Sequence, residues 1–256
     1  MTELKEKKVE SYLGERFEFK YLLSPIQAKK IESYFRKIGL TLDEYNRENG
    51  PYHVNSLYFD TPTMEDYRDK DGSLNIRKKM RARTYDKFWS KNPQRIWLEI
   101  KKKRNMNVKK VRVEITNEMW ADLISKQSVK FDTKFSKREQ EDLSEFMYIF
   151  KRHLYRPKVI ITYDRIAYLS HFLSPIRITF DNNVRVCKSE LSDIHAESMK
   201  IPVTKNQVIM EVKFNGKLPW WFKRAVSMFD IERTDFSKYR NSVAVLRGIN
   251  RIQIDK

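Results

Sequence analysis

Charged side chains recur at every second position in several segments of this 256-residue sequence. Arg81 and Arg83 flank an alanine, and Glu99 and Lys101 flank an isoleucine further along. Alternate residues of a β-strand face the same side of a sheet, so each segment would present its charges together. Clustered cations bind phosphate groups, and carboxylate oxygens are ligands for Mg²⁺ or Mn²⁺. These residue types therefore suit the binding of a phosphorylated compound together with a divalent metal.

The segments that carry this alternation are rich in β-branched and aromatic residues, as strands are. Eight candidate strands cover residues 15–22, 52–60, 75–84, 95–103, 108–116, 156–168, 175–182 and 207–214. An antiparallel sheet ordinarily shows one polar face to water, and each strand taken singly fits that interpretation. Here, however, Arg, Lys, Glu and Asp dominate strand after strand. The set predicts an α+β fold, an eight-stranded antiparallel β-barrel with helices packed outside and a charged interior channel.

The charged face of these strands would hold more cations than carboxylates. The ten predicted inward cations are Arg16, Lys20, Arg81, Arg83, Lys101, Lys110, Arg112, Arg165, Arg177 and Lys213. The six predicted inward carboxylates are Glu18, Asp60, Glu99, Glu114, Asp181 and Glu211. Burying unpaired charge is costly, so the positive surplus calls for an anionic ligand. A linear phosphate chain with a bound divalent metal would suit both the cations and the carboxylates.

Helix signals are fewer than strand signals. Ser24 followed by Pro25 is a helix start, and Gly39 ends that helical pattern. Four more helices are predicted, near Asn117, over residues 137–154, over Trp220–Phe229 and after the segment DFSKYRNS.

Composition limits the class of protein and its partners. The 52 Lys and Arg residues against 34 Asp and Glu give a net charge of +18, which indicates an anionic partner or simply a solvated basic surface. Cys187 is the only cysteine, which excludes a disulfide framework. Residues 1–14 form a charged N-terminal tail without a signal-peptide pattern, and residues 15–256 form a single domain. We therefore expect a cytoplasmic protein that associates with a membrane only through a partner.

Nine motifs occur in a family-specific order: RFEFKY, YFDT, RART, WLEIKKK, VRVE, YDRIAY, RITFD, IMEVKF and FSKY. Together they resemble the catalytic domain of the vacuolar transporter chaperone (VTC) family, from about Glu15 to Arg247. That domain is a polyphosphate polymerase of the triphosphate tunnel metalloenzyme superfamily. The resemblance implies a barrel around a basic tunnel, in which the γ-phosphoryl group of ATP is transferred to a growing polyphosphate chain. It also implies a requirement for Mn²⁺ or Mg²⁺.

The motifs also imply roles for individual residues. The predicted catalytic residues are Lys20, Arg81, Arg83, Lys101 and Arg165. The predicted substrate-binding residues are Arg16, Lys110, Arg112, Tyr163, Arg177, Lys213, Ser237 and Lys238, with Arg112 favoured over Lys110. Glu211 resembles the metal-binding glutamate, and Glu18, Glu99 and Glu114 are additional candidates.

One departure from the superfamily pattern favours the polymerase branch. Many tunnel triphosphatases begin with a Glu-x-Glu-x-Lys strand, whereas this chain has Arg16 in place of the first glutamate. The expected partners are ATP and inorganic polyphosphate, with a separate membrane protein as a candidate and no nucleic acid. One alternative is a tunnel triphosphatase that activates water with Glu18, Glu99 or Glu114. A second alternative is a non-catalytic binder of nucleic acid or another polyanion.

Overall fold

A computed structural model describes residues 16–69, 76–85, 95–104, 107–130, 134–170, 175–189 and 201–249. The predicted tail over residues 1–14 lies outside these residues. The strands are β1 Arg16–Leu23, β2 Thr41–Leu42, β3 Tyr52–Asp60, β4 Ile76–Thr84, β5 Ile96–Arg104, β6 Asn107–Ile115, β7 Arg156–Ser170, β8 Ile176–Lys188, β9 Ile201–Pro202 and β10 Val208–Asn215. The helices are α1 Pro25–Lys37, α2 Glu44–Asn49, α3 Glu65–Arg68, α4 Asn117–Lys126, α5 Lys137–Arg152, α6 Trp220–Met228 and α7 Lys238–Leu246.

Eight long strands form one antiparallel sheet in the order β1-β10-β8-β7-β3-β4-β5-β6, with β2 paired to β7 and β9 to β8. The predicted closed eight-stranded barrel is therefore wrong, because among the described residues β1 and β6 share no ladder and the sheet has ten strands. The sheet nevertheless curls strongly. Lys101 of β5 places its Nζ 2.8 Å from Oε2 of Glu18 on β1. A ladder needs backbones about 4.8 Å apart, whereas long Lys and Glu side chains bridge a wider gap.

The apolar faces of the strands point outward beneath helices, as the alternation predicted. Leu98 and Val113 pack beneath Phe146 of α5 in one buried cluster. Ile178 and Met210 lie in a second cluster with Phe35 of α1. The concave face is therefore left to the charged side chains. No helix in the described ranges is long and apolar enough to cross a membrane.

Helix α7 departs from the prediction that all helices pack outside. Its Tyr239 and Val243 belong to a buried cluster with Tyr58, Ile161 and Val186, which lie on the inner faces of β3, β7 and β8. These inward positions are apolar or aromatic, so they need an apolar cover, and α7 supplies it.

Asp60 was predicted to line the channel, and the structure gives its carboxylate several structural partners instead. The carboxylate accepts hydrogen bonds from the backbone N–H groups of Thr61, Asp66 and Tyr67 and from the hydroxyl of Tyr239. It therefore fixes the start of α3 and joins it to α7.

Candidate functional site

Glu99 of β5 lies at the centre of a group of cations on the two neighbouring strands, β4 and β6. Its carboxylate is 2.7 Å from Nε of Arg81, 3.8 Å from Nη1 of Arg83, 2.8 Å from Nζ of Lys110 and 3.5 Å from Nε of Arg112. Burial would raise the pKa of Glu99, but the surrounding positive charges outweigh it and hold that pKa well below its usual range. One carboxylate thus serves four cations. Lys110 and Arg112 lie on the side of Oε1, and Arg81 and Arg83 lie on the side of Oε2.

Glu18 and Glu211 form a second acidic group on the neighbouring strands β1 and β10. Nζ of Lys20 lies between them, 3.4 Å from Oε1 of Glu18 and 3.9 Å from Oε1 of Glu211. Burial and the charge of Glu211 would raise the pKa of Glu18, but Lys20, Lys101 and Lys213 together lower it to about 2. Both carboxylates are therefore ionised and face the same concave space.

Helix α7 adds a cation to this space from a third direction. Nζ of Lys238 lies 2.6 Å from Oδ2 of Asp181 and 2.6 Å from Oε1 of Glu211. Arg165 binds Asp181 with two hydrogen bonds of 2.6 and 2.8 Å. This network joins β7, β8, β10 and α7 through side chains that are almost fully buried.

Tyr163 lies between the two charged groups. Its ring centroid is 5.1 Å from the guanidinium carbon of Arg165 and 5.0 Å from Nζ of Lys238. Its hydroxyl accepts a hydrogen bond of 3.3 Å from Arg83. The electron-rich ring face favours nearby cations, so Tyr163 holds three cations in one arrangement.

Four predicted site residues make other contacts or are described only through their backbone. Arg177 binds Asp43 at 2.9 Å and the Tyr52 hydroxyl at 3.3 Å. The Ser237 hydroxyl caps α7 by accepting the backbone N–H of Arg240. Glu114 is 39% exposed, with Arg95 at 3.7 Å. Arg16 is paired through its backbone to Asn215, and its side chain lies outside the described part of the chain.

Lys79 is a cation of the concave face that the sequence reasoning missed. It pairs in register with Lys101, donates a hydrogen bond to the backbone oxygen of Asp66 and lies 4.8 Å from the ring centroid of Tyr239. The signal was present, because the alternation of Arg81 and Arg83 continues back to residue 79 in the segment RKKMRART.

We predict that Lys213 makes anion binding depend on pH. Burial lowers the pKa of Lys213 to about 8, against the opposing charges of Glu211 and Glu18. The side chain is thus cationic below about pH 8 and becomes neutral above it, so the affinity for tripolyphosphate should fall about tenfold between pH 7 and pH 9. Isothermal titration calorimetry across this range measures the effect.

Lys213→Arg keeps its charge throughout that range and should remove most of the pH dependence. Lys217→Arg, at an exposed position, is the matched control and should behave as the wild type. A wild-type affinity that does not change with pH would contradict the prediction, as would an equally steep fall for Lys213→Arg.

The curled sheet and its cation-rich concave face are the two features that the comparisons with known proteins must match. The chain belongs to the VTC domain family, whose sequence profile matches residues 15–247. This confirms the resemblance drawn from the nine motifs. Among curated protein sequences, none matches the chain.

Two solved structures resemble the fold at low sequence identity. One is an adenylyl cyclase candidate from Hippeastrum, described as having a dominant triphosphatase activity, with TM-score 0.51 and 13% identity over 90% of this chain and 95% of that chain. The other is an adenylate cyclase candidate from Bacillus halodurans, with TM-score 0.49 and 13% identity over 87% of this chain and 95% of that chain. At this identity the first likeness concerns the fold alone, which is of the tunnel type.

Glu18 and Glu211 supply oxygen donors of the kind that a divalent metal shared with a phosphorylated ligand takes, although Lys101 and Lys238 pair with them in this structure. The described residues contain no group of three or more His, Cys, Asp or Glu side chains that could hold a metal by themselves. Mg²⁺ is commonly bound through one or two carboxylates together with substrate phosphates and water. A metal held by this pair would therefore depend on phosphate oxygens to complete its coordination.

Proposed function

We propose that this chain is an ATP-dependent polyphosphate polymerase, which transfers the γ-phosphoryl group of ATP to the end of an inorganic polyphosphate chain. The observation that carries the proposal is the excess of cations over carboxylates among the side chains in mutual contact. The cations are Lys20, Arg81, Arg83, Lys101, Lys110, Arg112, Arg165, Lys213 and Lys238. The carboxylates are Glu18, Glu99, Asp181 and Glu211. A bound triphosphate or polyphosphate supplies the negative charge that this group lacks.

Phosphoryl transfer depends mainly on positioning and charge neutralisation. In the proposed reaction Arg81, Arg83 and Lys101 hold the β- and γ-phosphates, and Lys20 orients Glu18 and Glu211. The terminal oxygen of the acceptor chain attacks the γ-phosphorus. The bond between the γ-phosphorus and the β,γ-bridging oxygen breaks, and ADP leaves with that electron pair. A Mn²⁺ or Mg²⁺ ion held by Glu18 and Glu211 would neutralise the charge that develops on the phosphate oxygens.

The weak basicity of the site carboxylates supports transfer to phosphate over hydrolysis. The pKa of Glu18 is about 2, and the pKa values of Glu99 and Glu211 lie well below the usual range despite burial, because cations surround them. Hydrolysis is assisted by a group that orients or deprotonates water, whereas a phosphate chain end is already anionic near neutral pH and needs no deprotonation. The polymerase reaction therefore needs no general base from this site.

A tunnel triphosphatase is the second candidate, and the exposure of the Glu114 carboxylate to water favours it. Its carboxylate is 39% exposed, with its ion pair to Arg95 at 3.7 Å, so it is more accessible to water than Glu99. In a triphosphatase, Glu114 would activate water next to the γ-phosphate. Glu114→Gln should then abolish turnover, whereas the polymerase proposal predicts that turnover stays within about twofold.

Product analysis separates the two candidates. The protein is incubated with ATP and Mn²⁺, and the products are resolved on a polyacrylamide gel stained for polyphosphate. The polymerase proposal predicts a ladder of long chains that depends on time. Orthophosphate without chains would contradict it and favour the triphosphatase. Binding of duplex DNA that tripolyphosphate fails to displace would favour a non-catalytic nucleic-acid binder.

A further inference from the structure

An aromatic side chain adjoins the cationic site on its concave face. Trp97 of β5 pairs in register with Arg83 on β4 and with Glu114 on β6. Directly paired residues of adjacent strands project to the same side of a sheet, about 5 Å apart. The indole of Trp97 is half-buried and therefore stands beside Arg83, one of the proposed phosphate ligands.

Arg112 lies over Trp97 and forms a cation–π pair with it. Its guanidinium carbon is 3.9 Å from the centroid of the indole ring. The guanidinium is held from two sides, by Glu99 at 3.5 Å from Nε and by the hydroxyl of Tyr85 at 3.5 Å from Nη2. The Arg112 side chain still keeps 34% of its surface exposed. The pair is thus held in place, and part of the Arg112 side chain stays accessible to a ligand.

More aromatic rings continue from this pair, with Arg112 and Arg177 bonded to the hydroxyls of two of them. The ring centroid of Tyr85 is 5.9 Å from that of Tyr52, and Tyr52 is 5.0 Å from Tyr45. Tyr45 is 48% exposed. Aromatic groups therefore form one border of a site whose interior is charged. A simple inorganic phosphate chain has no group that uses such a border.

We propose that Trp97 and Arg112 form a platform on which the base of a nucleoside triphosphate stacks while its phosphates bind Arg83 and Arg81. This inference rests on the proposed function, because it gives the phosphoryl donor its place in the site. It also makes Arg112 a contact of the nucleobase, whereas the sequence motifs indicated that Arg112 binds phosphate. Nucleobases stack on both aromatic rings and arginine guanidinium planes.

The dimensions of the strands are compatible with this placement. Successive inward residues of a strand are about 7 Å apart, and Trp97, Glu99 and Lys101 are successive inward residues of β5. A base at Trp97 would thus leave the phosphates to extend along β5 towards Lys101. Stacking uses a π-face that every base possesses, so the platform would accept nucleotides with little preference for base identity.

Binding of two ligands that differ only in the nucleoside tests the platform. The affinities of β,γ-imido-ATP and tripolyphosphate are measured by calorimetry with EDTA present, so that turnover does not interfere. Trp97→Leu keeps an apolar side chain but removes the planar ring, and Trp97→Phe keeps a ring. Trp220→Ala is the matched control, since Trp220 is 70% exposed on α6.

If the platform exists, Trp97→Leu should lower the affinity for β,γ-imido-ATP between about 5- and 150-fold. The affinity for tripolyphosphate should stay within about twofold of the wild-type value. Trp97→Phe should retain most of the nucleotide affinity, and Trp220→Ala should match the wild type. Equal losses for both ligands, or unchanged affinity for the nucleotide, would overturn the platform and leave the proposed function intact. A wild-type protein that binds neither ligand, both in EDTA and with Mg²⁺ restored, would overturn both.

Discussion

Replacing Lys101 with methionine is expected to lower kcat/KM for phosphoryl transfer roughly 100- to 1,000-fold, with little loss of stability. The rate should fall because one fixed positive charge near the transferred group is removed, and such groups stabilise the transition state by amounts of this order. Stability should change by less than about 1 kcal/mol, because Lys101 is 38% exposed and its ion pair with Glu18 is partly solvated.

Lys102→Met provides a matched control for this experiment. Lys102 is the next residue on β5, but it points to the outer face, where it binds Glu145 of α5. The Lys102→Met variant should therefore keep turnover within about twofold of the wild type. Steady-state kinetics and thermal unfolding of the two variants give the comparison. Equal turnover of a folded Lys101→Met variant and the wild type would remove Lys101 from the site.

Replacing Glu99 with glutamine is expected to lower the free energy of unfolding by about 3 kcal/mol. Glu99 is the shared counterion of Arg81, Arg83, Lys110 and Arg112, and its side chain is only 2% exposed. Removing one member of a buried ion pair leaves the other members uncompensated, which costs about 3–5 kcal/mol. Because Lys110 and Arg112 are partly exposed, the expected loss of stability lies at the lower end of this range. Denaturant unfolding measures this loss directly.

The same variant should respond more strongly than the wild type to an anionic ligand. Tripolyphosphate would replace the missing negative charge, so it should raise the melting temperature of Glu99→Gln more than that of the wild type. Glu114→Gln, on β6 at the same face of the sheet but 39% exposed, should change stability by about 0.5 kcal/mol or less. A Glu99→Gln variant as stable as the wild type would show that the four cations do not depend on this carboxylate.

The alternation of side chains predicted the strands and their faces well. The apolar residues of β5 and β6 lie under α5, and those of β8 and β10 lie under α1, as expected. Closure of the barrel was predicted wrongly. A period of two fixes which face each side chain occupies, but it carries no information on whether the two edge strands pair. The side-chain contact between Lys101 and Glu18 takes the place of that ladder.

The position of α7 could not be derived from its own sequence. Its apolar residues follow a helical spacing that is compatible with either face of the sheet, and the apolar inner ends of β7 and β8 decide between them. For the same reason the bonds of Lys238 to Asp181 and Glu211 were not predictable, because they join residues 27 or more positions apart. The phosphate- and metal-binding roles of the individual residues stay predictions.

The fate of the γ-phosphoryl group tests the central claim most directly. Phosphorus NMR follows ATP, orthophosphate and the interior phosphates of chains in one reaction with Mg²⁺, which broadens the signals less than Mn²⁺. The proposed polymerase reaction predicts that interior chain phosphates accumulate in step with ADP, with little orthophosphate. Orthophosphate that appears in equal amount to ADP, without interior phosphates, would contradict it and identify the protein as a triphosphatase.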